Sequence, residues 1–326
     1  MRAVVLHEFG PAENLRYETL PDPVAGVGQV RIAVRAAGTH FVETVLRRGD
    51  ASDMAPPLPE LPAVFGGEAA GTVDAVGPGV DPGWIGRSVV AARTSPGGYA
   101  ELSVADVERL HVLPDGLGPE GAVTMVGTGA TTMGLLASAQ LTSDDVVLVT
   151  SAAGGVGRLV VQYAHALGAT VVGAAGGDAK TAAVRALGAD VVVDYNEDGW
   201  ADTLREGLGA DRPVTVVIDG VGGQKAARAY ELLGAGGRFV AIGWSSQEPF
   251  EPTPEELAER GTSYVNALLE LLGHPERAPE HERAALEAAA KGELVPSWEA
   301  FPLARAADAH AAMERRETTG KVLLVP

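Results

Sequence analysis

The segment VLVTSAAGGVGRLVVQYA (147–164) carries small residues at the spacing a phosphate-binding turn requires. An apolar run leads into Ala152-x-Gly154-x-x-Gly157, with Gly155 and Val156 inside the pattern, and a helical pattern follows at once. Small residues let the backbone approach a pyrophosphate. The helix N-terminus then offers it free N–H groups and the positive end of a dipole. Ala152 stands where the G-x-G-x-x-G pattern has its first glycine. The predicted chemistry is dinucleotide binding; the alternative is a tight strand–helix turn without a ligand.

The next apolar run, TVVGAAGG, decides which dinucleotide. It ends Ala174-Ala175-Gly176-Gly177, where NAD sites place an acid on the ribose hydroxyls. Without that acid the small loop leaves room for a 2′-phosphate. Lys180 could pair with the phosphate, and Tyr195, after the following run, could add a hydroxyl. Lys180 equally fits a solvated helix residue and Tyr195 a surface loop. Asp178 fits either a helix N-cap or a charge that repels the phosphate. The missing acid favours NADPH as cofactor.

These residues need a doubly wound sheet behind them. VVLVT (146–150), TVVGA (170–174), DVVVD (190–194), VTVVID (214–219) and RFVAIG (238–243) are β-branched runs at the period of repeated βα units. Runs this apolar suit parallel strands covered on both faces. Between them lie Ala-rich helical segments, GRLVVQYAHALG and AKTAAVRALG, each closing on glycine. Residues 1–112 read differently. VRIAVRAAG, AAGTVDAVG, RSVVAAR and AELSV are short strands, and PDPVAGVGQ, DMAPPLPELP and GPGVDPGWIG are loops, which suggests a β-barrel-like domain. After these come helices HERAALEAAAKG and ARAADAHAAMERR and strands WEAFPL and GKVLLV. The last strand has no βα partner, so it is expected back on the first domain.

Bulk properties narrow the function. The 326 residues suit one large or two medium domains, and 46% hydrophobic with 21% charged residues is an ordinary globular balance. A net charge of −18 opposes nucleic acid or an anionic membrane as partner. There is no cysteine, hence no disulfide, thiolate nucleophile or Cys-ligated zinc. MRAVVLHEFG turns polar within a few residues, and the expected location is cytoplasmic.

The order and spacing of GTHFVETVLRRG, GGEAAGTVDAVGPGV, SAAGGVG, VVIDGVGG, FVAIGWSS and AHAAMERRETTGKVLLV resemble the medium-chain dehydrogenase/reductase superfamily over nearly the whole chain. Within it they resemble the zinc-independent, zeta-crystallin-like quinone oxidoreductases. The resemblance implies a GroES-like β-barrel catalytic domain, residues 1–118 and 256–326, and a Rossmann α/β domain, 119–255, with a cleft between them and a homodimer joined through the Rossmann sheets. It implies that Val221, Gly222, Ile242, Gly243 and Ser245 line the nicotinamide side. Thr131, or Thr128 or Thr132 if the register slips, would touch the nicotinamide ribose or ring; Thr131 also fits a helix-start cap.

The segment that carries N-x-x-D-x-Y in many quinone reductases reads His40, Glu43 and Val45 here, followed by Arg47 and Gly49. Polarity is kept at the first two positions, and a phenol is lost at the third. His40 can donate a hydrogen bond or a proton near neutral pH, or be a buried histidine fixed by a backbone carbonyl. Arg47 is expected to be structural, and Tyr99 to pack. Zinc-dependent relatives place ligands in three segments; here these hold His40, Gly67 in place of the His of G-H-E-x-x-G, and Gly127-Thr128. One candidate ligand does not make a zinc site. Gly66 and Gly67 are then expected to allow close packing and Glu68 to make a structural hydrogen bond. The resulting expectation is hydride transfer from NADPH to a quinone, with enone or enoyl reduction, or a non-catalytic NADPH-binding redox sensor, as alternatives.

Overall fold

The computed structural model describes residues 1–50, 57–95, 97–209 and 213–326; the first residues of the DMAPPLPELP loop lie outside them. The chain opens with β1 (Arg2–Leu6), β2 (Leu15–Thr19) and the long β3 (Gln29–Thr39), then α1 (Phe41–Arg48). It continues through β4 (Ala63–Val64), β5 (Glu68–Val76), β6 (Ser88–Ala92), β7 (Leu102–Asp106) and β8 (Leu110–Val112) to α2 (Pro119–Thr124). A π-helical turn at Met125–Gly129 joins α2 to α3 (Ala130–Ala139). By length and composition the run 119–139 could cross a membrane, but 67% of its apolar window is buried within the protein, as in a core helix.

The regular βα series follows: β9 (Val146–Val149), α4 (Gly155–Leu167), β10 (Thr170–Ala175), α5 (Asp178–Arg185), β11 (Val191–Asp194), α6 (Trp200–Leu208), β12 (Val214–Asp219), α7 (Gly223–Glu231) and β13 (Leu233–Ala241). After α8 (Pro254–Arg260) come β14 (Ser263–Asn266), α9 (Ala267–Gly273) and α10 (Ala278–Ala290). The chain ends with β15 (Trp298–Pro302), α11 (Ala306–Glu314) and β16 (Lys321–Val325).

Contacts divide the chain into two units. The first comprises Met1–Thr128, Leu286–Lys291 and Pro296–Pro326, and the second Gly129–Ala285 with Gly292–Val295. The expected boundaries at 119 and 256 differ from these for two reasons. Helix α2 packs on β3 and β5 of the first unit. Strand β14 joins the Rossmann sheet beside β13, so the chain beyond 256 still belongs to it.

In the first unit, β3 is the organising strand. It pairs antiparallel with β5, β7 and β16, which returns the C-terminal strand to this domain as expected. In the second unit all pairings are parallel, in the order β11-β10-β9-β12-β13-β14. Successive strand residues point to opposite faces. Val147 and Val149 of β9 therefore enter one apolar cluster while Val146 and Leu148 enter the other, and both clusters are covered by helices. This two-sided burial explains why the strands read as continuous apolar runs. All the strands point their C-terminal ends to one edge, where ligand loops of such sheets gather.

Candidate functional site

The second unit builds a nucleotide site from the ends of β9, β10 and β12. Helix α4 begins after Gly154, whose extended backbone serves as N-cap with no side-chain cap. Its first-turn N–H groups thus face the turn unblocked by a side chain. A Cβ on Gly157 would overlap the Ser151 carbonyl and stand 2.8 Å from Ala152 Cα, so glycine is required for the helix to lie against the turn. Ala152 is fully buried and its N–H donates to the Ala174 carbonyl at 3.0 Å, which ties the turn to the end of β10. The residues present fit a bound pyrophosphate.

Asp219, at the end of β12, holds the next loop. Thr150 Oγ1 donates to its Oδ1 at 2.5 Å, and the Val221 and Gly222 N–H groups donate to the same carboxylate at 3.3 and 2.9 Å. Burial pushes the Asp219 carboxyl upward, and the Thr150 and backbone donors oppose that shift. Two further bonds, from Ser245 N–H to the Gly220 carbonyl and Ser246 N–H to the Val221 carbonyl, lace this loop to the one after β13. Gly222 has φ +77°, and a Cβ there would overlap the Glu248 carbonyl. The structure therefore gathers Val221, Gly222, Ile242, Gly243 and Ser245 on two bonded strand-end loops. Thr150 and Asp219 end two apolar runs that are far apart in the sequence, and only the pairing of β9 with β12 brings them together.

At the end of β10, the Gly177 N–H donates to Asp194 Oδ2 at 2.7 Å and the Asn196 N–H to Asp194 Oδ1 at 2.8 Å. Tyr195 follows β11 directly, and Lys180 lies in the first turn of α5. Asp178 is the first helical residue; Gly177 is the N-cap, so the N-cap alternative for Asp178 does not hold. Thr131 is likewise not a cap, since it sits inside α3 after Gly129. Thr128 and Thr132 are buried.

The first unit holds a second polar group, brought together by strand register. Gly38 of β3 pairs with Glu68 of β5 on one side and with Leu323 of β16 on the other. That register sets His40, Glu68 and Lys321 side by side. Glu68 Oε1 lies 2.6 Å from His40 Nε2, and Lys321 Nζ stands 3.0 Å from both Glu68 Oε2 and His40 Nε2. Glu68 and Lys321 are buried, whereas the His40 side chain is 35% exposed. Burial would raise the Glu68 carboxyl, but the charges of His40 and Lys321 outweigh it and hold the group at about 2. It is a carboxylate, so it orients His40 by accepting from Nε2.

Glu43 is buried beneath His40. Its carboxylate accepts from the His40 N–H at 2.8 Å, the Gly66 N–H at 2.9 Å and the Tyr99 hydroxyl at 3.0 Å. The Tyr99 oxygen also lies 3.1 Å from His310 Nε2. Burial first, and the Glu43 charge next, push the Tyr99 phenol well above its ordinary value. Arg47 is fully buried, donating to the Gly10 carbonyl at 2.8 Å and pairing with Glu314. Arg47 is thus structural, and Tyr99 packs with its hydroxyl bonded.

The residues do not fit a zinc site. A Cβ on Gly127 would overlap the Glu68 carboxylate, so the carboxylate fills the third ligand position. Gly67 carries no ligand and faces open space: a Cβ there would meet no atom within 4 Å. Close packing therefore explains Gly66, whose Cβ would press on Tyr99 at φ +94°, but not Gly67. Among the described residues, no group of three or more His, Asp or Glu could hold a metal ion.

Comparison with known proteins agrees with both halves of this description. An alcohol dehydrogenase GroES-like domain matches residues 26–147, and a zinc-binding dehydrogenase family matches 155–280. A Pseudomonas aeruginosa quinone oxidoreductase is 32% identical over 98% of this chain and 97% of its own. The chain belongs to the quinone oxidoreductase family of the medium-chain dehydrogenases/reductases. A Burkholderia 2-haloacrylate reductase is 31% identical, covering 99% of this chain and 98% of its own. The Escherichia coli quinone oxidoreductase, solved with NADPH, superposes with a TM-score of 0.86 at 28% identity, both chains covered completely. The protein is an NADPH-binding oxidoreductase with a GroES-like domain and a Rossmann domain.

Proposed function

We propose that this oxidoreductase passes hydride from NADPH to a quinone and releases the quinol. The observation that carries the reading is the Glu68–His40–Lys321 group: the place of a catalytic metal's ligands is filled by a carboxylate paired to an ammonium and an imidazole. Quinone carbons accept hydride without a Lewis acid, and the developing phenolate is delocalised. NADPH supplies the hydride. His40, oriented by Glu68, supplies a hydrogen bond or a proton to the reduced oxygen, and Glu43 acts by positioning the start of α1 on which His40 sits. Gly154, Gly155, Val156 and Gly157 hold the pyrophosphate, Lys180 and Tyr195 the 2′-phosphate, and Thr131 the nicotinamide ribose. The proposed form is a cytoplasmic homodimer, for which the edge strand β14 offers a pairing surface.

A second reading has its own support. The relative named 2-haloacrylate reductase matches over the full chain, which favours reduction of an activated C=C bond. That reaction needs a proton at the second carbon, and Val45 supplies none. Steady-state NADPH oxidation over a panel of quinones and small enones separates the readings. Rates on quinones no higher than the no-acceptor blank would overturn the first, and turnover on enones alone would establish the second. Tight NADPH binding without turnover on either class would instead mark a redox sensor.

A further inference from the structure

We propose that Lys225 reads the 2′-phosphate of the cofactor, as a second cation beside Lys180; the inference rests on the assignment of that phosphate to the Gly176 end of the site. Gly176 stands where an NAD site would carry its ribose-binding acid. Its surroundings are defined by two residues: a Cβ on Gly176 would overlap the Asn196 side-chain amide and lie 3.3 Å from the Tyr195 ring. Lys225 comes from a different element, the first turn of α7, yet its ammonium reaches these same two residues. Nζ lies 2.5 Å from Asn196 Oδ1 and 3.9 Å from the centroid of the Tyr195 ring.

The placement runs against the helix. A cation in the first turn opposes the positive end of the helix dipole, so α7 itself gains nothing from a lysine here. The local charge balance does gain. Asp194 ends β11 and Asp178 opens α5 shortly after β10, in a chain of net charge −18. A phosphate monoester carries close to two negative charges at neutral pH, which a second cation beside Lys180 would serve. Lys225 brings that second cation, held beside Gly176 by the Tyr195 face and the Asn196 oxygen.

The test compares equilibrium binding of NADPH and NADH by fluorescence, and of 2′,5′-ADP and 5′-AMP by calorimetry. The proteins are the native enzyme, Lys225→Met, Lys225→Arg and Lys225→Glu, each with its ligand-free thermal midpoint recorded. Lys225→Met is expected to weaken NADPH and 2′,5′-ADP about tenfold and to leave NADH and 5′-AMP unchanged. Lys225→Glu should weaken the phosphorylated pair further, and Lys225→Arg should restore most of the loss. Equal effects on both pairs, or no effect on either, would overturn the proposal. Native enzyme that binds 2′,5′-ADP no tighter than 5′-AMP would remove the phosphate site itself, a failure seen before any variant is made.

Discussion

The Glu68 carboxylate occupies the volume that a side chain at Gly127 would need. A Cβ built on Gly127 overlaps Oε1 of Glu68 and stands 3.3 Å from His40 Cε1. Gly38 makes the matching space on the other side, where a Cβ would overlap Oε2. Two glycines thus form a slot for one buried carboxylate, and the slot exists because Lys321 and His40 stabilise the charge inside it.

Gly127→Ala is therefore expected to behave unlike Gly67→Ala. The first inserts a methyl group against a buried, ion-paired carboxylate and should cost about 1–3 kcal/mol. The second places one in open space and should change stability by no more than about 0.5 kcal/mol. Denaturant titration of the two variants checks the contrast; equal costs would contradict the slot.

Removing one partner of the Glu68–Lys321 pair leaves the other buried with only His40 beside it. Lys321→Met and Glu68→Gln should each cost about 3–5 kcal/mol, and the double variant less than the sum. The pH dependence has a defined direction. Glu68 is held at about 2 in the folded protein against an ordinary 4.5. Its stabilisation is present above pH 4.5 and disappears as pH falls toward 2. Strictly additive costs in the double-variant cycle would show that the pair is not coupled.

The same carboxylate group predicts indifference to chelators. His40 alone among the three ligand positions has a side chain that binds zinc, and Glu68 is committed to Lys321. Activity measured after prolonged chelation should match the untreated enzyme, and stoichiometric zinc in untagged protein would overturn this account.

How much of this was legible in the sequence depended on how local the cause was. The phosphate turn follows from a strand, small residues and a helix in one short stretch, so Gly154 and Gly157 could be read directly. The Lys321 partnership could not, because it arises from the register of β16 and β5 on β3, and Lys321 is 253 residues beyond Glu68 along the chain. Gly67 was misread for a related reason. A glycine in a motif suggests close approach, but only the neighbouring backbone shows whether anything is there to approach. The second unit runs past 256 because SYVN (263–266), too short a run to announce itself in the sequence, forms a sixth parallel strand.

Asp219 should prove a positioning residue for the cofactor loops. Asp219→Ala removes the acceptor for the Val221 and Gly222 N–H groups and for Thr150 Oγ1. The expected result is NADPH binding weakened at least about tenfold, with about 1–3 kcal/mol lost from stability. Thr150→Val should reproduce part of the binding loss, because it removes one donor to Asp219 and the acceptor of the Gly220 N–H but leaves the Val221 and Gly222 bonds to the carboxylate in place. NADPH affinity unchanged in Asp219→Ala would show that the loop holds its shape through its remaining bonds, those of Gly220, Gly223, Ser245 and Ser246, without the carboxylate.

His310 gives the protein an acid-sensitive core. Burial first, and then the nearby Arg47 guanidinium, hold its imidazole at about 3, against an ordinary 6.5. In the unfolded chain the same group takes up its proton near 6.5. Between those values the unfolded state binds a proton that the folded state refuses, so stability falls as pH is lowered, by at most about 5 kcal/mol from this residue. His310→Gln keeps a donor for the Tyr99 oxygen and removes the titration. Unfolding free energy measured from pH 7 to pH 4 should fall less steeply in the variant than in the native protein, by up to one proton's worth of slope. Identical slopes would mean that His310 already carries its proton in the folded core.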